Sequence, residues 1–256
     1  MNNIPIYVLN YKNQERQMIM DNQFKICGLD PIFHPGCSFD DSRIQSLANQ
    51  YPNITDHTKK CWSCMFGHLD MMRDYLDNST TDSDYMICCE DDIILDADFK
   101  NKLGDLMVSV REKKIDLLLL GYLITYPLSF ESNIGDFRYR GKHAYVDLET
   151  GEKIDYRFYE YGFEIWGTQM YMVSRAYAEK MVSKYGDGSW LMENYGKAQF
   201  SADWILTKES PTRQLMYPML AIEDGKSVYD HEGQAEYHRL SHSVHIVANP
   251  TIHYLE

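Results

Sequence analysis

Tyr85-Met86-Ile87-Cys88-Cys89-Glu90-Asp91-Asp92-Ile93-Ile94-Leu95 is the stretch on which the fold turns. Tyr85 to Cys89 is an apolar run of strand length, and it passes without a spacer into three adjacent carboxylates. Apolar character resumes at Ile93-Ile94-Leu95, and Asp98 to Arg111 reads as a helix. Strand, charged strand end, then helix is the repeating pattern of an α/β sheet, where ligands bind outside the carboxyl ends of the strands.

The pattern recurs on both sides. Ile4 to Asn10 reads as a buried first strand and Asn13 to Phe24 as a polar helix carrying Arg16. Gly28-Leu29-Asp30-Pro31 then stops the helix before the short apolar pair Ile32-Phe33. Thr58 to Leu76 is the clearest helix, because Cys61, Met65, Leu69, Met72 and Leu76 form one stripe on a 3.6-residue period. Ile115 to Gly121 is another buried strand. Between Thr125 and Phe163 regularity fades, and the content of Tyr, Phe, Gly and charge suits surface hairpins or a lid. Strand character returns from Ile165 to Ser174, with a helix from Arg175 to Tyr185 ended by Gly186. Ser201 to Thr207 reads as a short helix and Met216 to Ile222 as a last strand, before a polar, His-rich tail. Alternating strands and helices with no linker or repeat predict one α/β domain over residues 1–256, its mostly parallel sheet covered on both faces, with an irregular insertion.

The chain has 256 residues, enough to bury a sizeable core, and its 44% apolar and 25% charged content is that of a globular protein. Acidic residues outnumber basic ones 38 to 25, a net charge of −13 that repels polyphosphate backbones and disfavours a general nucleic-acid binder. A small phosphorylated ligand stays compatible, because a metal can reverse the local sign. No basic segment followed by a long apolar run opens the chain, and no run is long enough to span a bilayer, so a soluble cytoplasmic protein is expected. The six cysteines read as buried small hydrophobes in a reducing compartment. Cys61-x-x-Cys64 has zinc or redox spacing, but it lies inside a helical pattern and no second pair accompanies it.

Three adjacent carboxylates repel one another, and a hard divalent cation relieves that repulsion. Mg²⁺ or Mn²⁺ takes oxygen ligands, commonly one or two carboxylates with substrate phosphates. The plain alternative is a solvated acidic turn. Phosphatases, nucleases and hydrolases also place aspartates at strand ends.

The residues around the triplet resemble glycosyltransferase family 25, the group of lipopolysaccharide sugar transferases and collagen galactosyltransferases. Val8-Leu9-Asn10 with Glu15-Arg16 is similar to the family's Ile-Asn-Leu strand and Arg-bearing helix. Cys64-Met65-Phe66-Gly67-His68 resembles its Cys-x-Leu-Ser-His helix motif, with Gly67 in place of the serine. Cys89-Glu90-Asp91-Asp92-Ile93-x-Leu95-x-x-x-Phe99 is the closest correspondence. Gly167-Thr168-Gln169-Met170-Tyr171-Met172-Val173-Ser174 is similar to a Gly-x-x-x-Tyr-x-Ile/Val-Ser stretch, and Ala202-Asp203-Trp204-Ile205-Leu206 to a Pro-x-Asp-x-x-Leu segment whose Pro is absent here. These correspondences run in order over roughly residues 4 to 228.

The resemblance implies a GT-A-type, Rossmann-like fold, with residues 1–124 as the nucleotide-sugar-binding half and 125–256 as the acceptor-side half and tail. It also implies a UDP-sugar donor (galactose or glucose), Mn²⁺ or Mg²⁺, inversion at the anomeric carbon, and a hydroxyl acceptor on a glycan or protein. Carried over, Asp92 is the metal ligand, Glu90 meets donor or metal, and Asp91 organises the turn at the donor. A late histidine often completes the metal site; among His231, His238, His242, His245 and His253 the choice is His242. Asn10 and Arg16 face the nucleotide and His68 the donor phosphates, although an ion-paired surface arginine and a hydrogen-bonded core histidine are the duller readings. An inverting transfer needs a carboxylate to take the acceptor's proton, and Asp203 beside Trp204 is the candidate, with Glu164 and Glu160 as rivals. Asp203 could instead cap its helix. The aromatic run Tyr156, Phe158, Tyr159, Tyr161, Phe163 and Trp166 could stack on sugar or uracil, or fill a hairpin core. Two other functions compete: a catalytically silent relative that binds glycan or protein, and a nucleic-acid base glycosyltransferase.

Overall fold

A computed structural model describes residues 4–51, 53–78, 83–128, 137–146, 151, 153–162, 165–226 and 232–255. Phe163, Glu164 and His231 lie outside the described residues. In chain order the elements are β1 (Ile6–Leu9), α1 (Gln14–Ile26), β2 (Ile32–His34), α2 (Ser42–Gln50), α3 (Asp56–Asn78), β3 (Tyr85–Glu90), β4 (Ile93–Leu95) and α4 (Phe99–Lys113). There follow β5 (Leu117–Leu123), β6 (Arg138–Val146), β7 (Lys153–Glu160), β8 (Trp166–Ser174), α5 (Arg175–Tyr185) and α6 (Ser189–Asn194). α7 (Ala202–Ile205), β9 (Arg213–Tyr217), β10 (Ala221–Glu223) and α8 (Glu232–Ala248) complete the order.

Eight strands form one sheet in the order β2-β1-β3-β8-β5-β9-β7-β6, and β10 pairs with β4 in a small second sheet. The α/β class is as expected, and the sheet is mixed. β1 runs parallel to β2 and β3, and β5 parallel to β9. β8 enters antiparallel between β3 and β5, and β7 pairs antiparallel with β9 and β6. The run of buried residues in β3 follows from cover on both faces. Met86 and Cys88 point into one core with α3 and α5, while Ile87 and Cys89 point into a second core with α1 and α4.

Three stretches differ from the sequence reading. The polar tail contains a helix, α8, whose inward face carries Ser241 and His245, both buried. The segment around α2 is also a helix, short and capped by Asp41, with only Ile44 and Leu47, one turn apart, buried. The region after Thr125 contributes to the core as well as to the surface. β6 is a largely exposed edge, but β7 is integral to the sheet, and Tyr156, Phe158 and Tyr159 on it are fully buried. Those rings fill the interior, whereas Trp166 is 37% exposed.

Candidate active site

Parallel pairing brings the carboxyl ends of β1 and β3 to the same edge, so Asn10 and Glu90-Asp91-Asp92 meet there. Because β8 is antiparallel, its beginning reaches that edge too, and Thr168 lies beside Glu90. The Asn10 amide donates to Asp91 Oδ2 at 2.6 Å and to the Asn13 carbonyl at 2.8 Å. Asn13 in turn caps α1 by accepting the Arg16 N–H. This cap directs Arg16 onto the turn, where Nη1 lies 3.1 Å from Asp91 Oδ1 and 3.5 Å from Asp92 Oδ2. Burial nevertheless holds the Asp91 carboxyl above its usual range, against the pull of Arg16 and Asn10. The Asp92 carbonyl accepts the Asp224 N–H at 2.8 Å, so the strand pair β4/β10 anchors the end of the turn.

Glu90 is gripped from below. Thr168 Oγ1 donates to its Oε1 at 2.6 Å, and His68 Nε2 lies 3.6 Å from the same oxygen. Burial raises the Glu90 carboxyl, but the close approach of His68, then the Thr168 hydrogen bond, prevails and holds it below the ordinary value. His68 has no exposed surface, and its Nδ1 is 2.9 Å from the Tyr171 hydroxyl. It therefore sits beneath Glu90 in the core rather than on the wall of the cleft. Helix α3 comes this close because residue 67 is glycine. A Cβ there would stand 2.7 Å from Leu9 Cδ1 on β1.

Asp203 lies in the first turn of α7, which packs against β8 and α3. It does not cap that helix through its side chain; the N-cap is Ser201. Burial, then the charge of Glu90, raises the Asp203 carboxyl from 3.8 to about 6, opposed by His68, Lys208 and the Gly167 N–H. Gly167 takes φ +101°, and a Cβ there would collide with the Gln169 side chain, so this donor depends on glycine. Lys208 Nζ donates to the Ile165 and Asp203 carbonyls at 2.9 and 3.0 Å and lies over the rings of Trp166 and Trp204. Burial lowers Lys208 to about 8, while Asp203 holds its charge in place. The rival Glu160 accepts Arg140 in an ion pair on the hairpin.

On α8, His242 Nδ1 lies 2.8 Å from the Glu223 carbonyl, and His238 Nδ1 lies 3.3 Å from Glu223 Oε2. His238 also acts electrostatically on Glu90, although no described residue of α8 lines the cavity over the turn. His245 is buried and accepts the Met219 N–H, away from the acids. Thr168 and Lys208 had no sequence signal as site residues, because their places beside Glu90 and Asp203 are tertiary facts; Cys64 was marked by its spacing to Cys61, but the fold sets it beside Glu90 and His68 instead. A cavity of about 430 Å³ opens over the turn, lined by Tyr11, Arg16, Lys60, Cys64 and Glu90-Asp91-Asp92. That is the size of a small-molecule site. No helix among the described residues is long and apolar enough to cross a membrane.

An α/β sheet with acidic side chains gathered around a cavity at its strand ends is the arrangement in which open α/β sheets place small-ligand sites. The chain belongs to glycosyltransferase family 25, whose model, described as glycosyltransferase family 25 (LPS biosynthesis protein), matches residues 3–190. Glycosyl transfer, from a sugar donor to an acceptor, is thus its activity class. Asp203, β9, β10 and α8 lie beyond the matched segment. Among solved structures the chain is similar to HddC from Yersinia pseudotuberculosis, at 12% identity and a TM-score of 0.36, with 86% of this chain and 93% of that chain covered. No curated protein matches.

Proposed function

We propose that the protein transfers a hexose, galactose or glucose, from a UDP-sugar to a hydroxyl acceptor on a glycan or protein, with inversion and with Mn²⁺ or Mg²⁺ at Asp92. The observation that carries this reading is the half-buried Asp203, raised to about 6, beside the same Glu90 that borders the cavity over the acidic turn. A base tuned near neutrality next to an acidic strand end suits removal of a hydroxyl proton.

A carboxylate oxygen on the cavity suits a hard cation. Asp92 borders the cavity and brings an oxygen ligand, its Oδ2 3.5 Å from Arg16, while Asp91 is engaged by Asn10 and Arg16. His242 uses Nδ1 on the Glu223 carbonyl, and a histidine that donates there keeps Nε2 as its ligand atom. The ion supplies stabilisation of the charge that builds on the leaving diphosphate. Arg16 and Lys60 border the cavity and offer the diphosphate further positive charge. Asp203 takes the acceptor proton on the opposite face of the sugar, and the Gly167 N–H orients its carboxylate. The net charge of −13 supports a sugar or protein acceptor over a nucleic acid.

The test is thermal unfolding with UDP and a panel of UDP-sugars, with and without Mn²⁺, in wild type and Asp92→Ala. A donor at about 100 times its dissociation constant stabilises the native state by about 2.7 kcal/mol. A Mn²⁺-dependent shift with one UDP-sugar, lost in the variant, is the expected result. A folded protein that responds to no nucleotide refutes the reading and favours a silent, partner-binding relative.

A further inference from the structure

The spacing Cys61-x-x-Cys64 suggests a pair of thiols, but the fold joins Cys64 to different partners. Cys64 and His68 are four residues apart on α3 and share one helix face. Glu90 arrives from the end of β3, and one ligand atom from each of the three lies within 4.8 Å of the other two. Cys61 Sγ lies instead 3.7 Å from His57 Nε2.

His68 is the telling member. It is fully buried, Nδ1 is occupied by the Tyr171 hydroxyl, and Nε2 finds no partner within 3.5 Å, with Glu90 Oε1 just beyond at 3.6 Å. A buried imidazole nitrogen held short of a hydrogen bond gains from an ion shared with that carboxylate. Two ligands held about 2.0–2.1 Å from one tetrahedral ion stand about 3.4 Å apart, so little movement is needed. The outer contacts are also those of a ligand set, with Tyr171 fixing the imidazole and the Thr168 hydroxyl fixing the carboxylate. Cys64 and Glu90 both line the cavity, which gives an ion a way in and leaves a fourth position open.

We propose that Cys64, His68 and Glu90 form a site for one thiophilic divalent cation, Zn²⁺ or its like, separate from the hard cation at Asp92. Sulfur and imidazole ligands select Zn²⁺ over Mn²⁺ and Mg²⁺, which prefer oxygen. Binding releases the Cys64 thiol proton to solvent and leaves a thiolate on the metal.

The test is titration of the full-length, reduced protein with Co²⁺, read by absorption. The expected result is one equivalent bound with a thiolate-to-cobalt charge-transfer band, bleached by one equivalent of Zn²⁺ and unmoved by excess Mn²⁺ or Mg²⁺. Cys64→Ser abolishes the band and Cys61→Ser keeps it. Glu90→Gln, which leaves the α3 core untouched, weakens Zn²⁺ binding by at least the roughly 10–100-fold that outer-shell changes cost. No band in folded wild type, a band that survives Cys64→Ser, or one lost in Cys61→Ser overturns the site. A silent cobalt titration leaves the Asp92 reading standing, since that reading is tested by Mn²⁺-dependent donor binding.

Discussion

Replacing Asp203 by Asn is expected to stabilise the protein while disabling it. Folding raises this carboxyl from 3.8 to about 6, first through burial and then through the charge of Glu90. The folded state therefore holds a proton that the unfolded state has lost across this window. Stability contributed at this position falls as pH rises from about 4 to about 6, and the deficit is complete above that. A rise of this size corresponds to at most about 3 kcal/mol. The side chain keeps partial contact with solvent, which brings the expected cost to ~1–2 kcal/mol. Asn carries no charge, so Asp203→Asn should melt about 2–6 °C above wild type at pH 8 and level with it at pH 4. Sugar transfer should fall ~10²–10⁴-fold, the usual contribution of a positioned base. The assay pairs melting curves at the two pH values with product formation at pH 8. A variant that melts at or below wild type at pH 8 refutes the electrostatic argument, and one that retains activity refutes the base assignment.

Two further outcomes test the scaffold. Gly67→Ala places a methyl 2.7 Å from Leu9 Cδ1 and should cost about 1–3 kcal/mol in chemical denaturation; it also lifts α3 from β1, so Co²⁺ affinity at Cys64 should drop in parallel. Burial, then His242, lowers His245 from 6.5 to about 4, so the unfolded chain binds a proton that the folded one refuses, and stability drops as pH falls through that window. Urea midpoints between pH 6.5 and 4.5 should fall by the equivalent of up to about 3 kcal/mol and flatten in His245→Gln, measured in an Asp203→Asn background because Asp203 titrates nearby with the opposite sign.

What the sequence made legible were elements whose burial follows a simple period. The helix α3 announces itself through a stripe of Met and Leu, and β3 through an unbroken apolar run into the acidic triplet. The site's skeleton was readable for the same reason, since parallel strands bring Asn10, Arg16 and Glu90-Asp91-Asp92 to one edge. Helix α8 was opaque because its inner face carries Ser241 and His245, followed by Asn249 just past its end, and all three are satisfied by partners distant in sequence. His238 and His242, one turn apart, are the periodic mark that helix leaves in the sequence. The antiparallel entry of β8 leaves no local mark either. With it went the roles of Thr168 on Glu90 and of Gly167 on Asp203. The aromatic run was ambiguous for a different reason, because rings suit a sugar platform and a hairpin core equally well in composition.

The position of β9 bears on how such a protein can change through descent. The segment shared with the family model stops at residue 190, yet β9 comes later and lies inside the main sheet, between β5 and β7. Asp203 is threaded on the same stretch, only a few residues before that strand. A lineage that exchanged this part of the chain would exchange a supporting beam along with the proposed base. Change at Asp203 is therefore coupled to part of the architecture, because one stretch carries both.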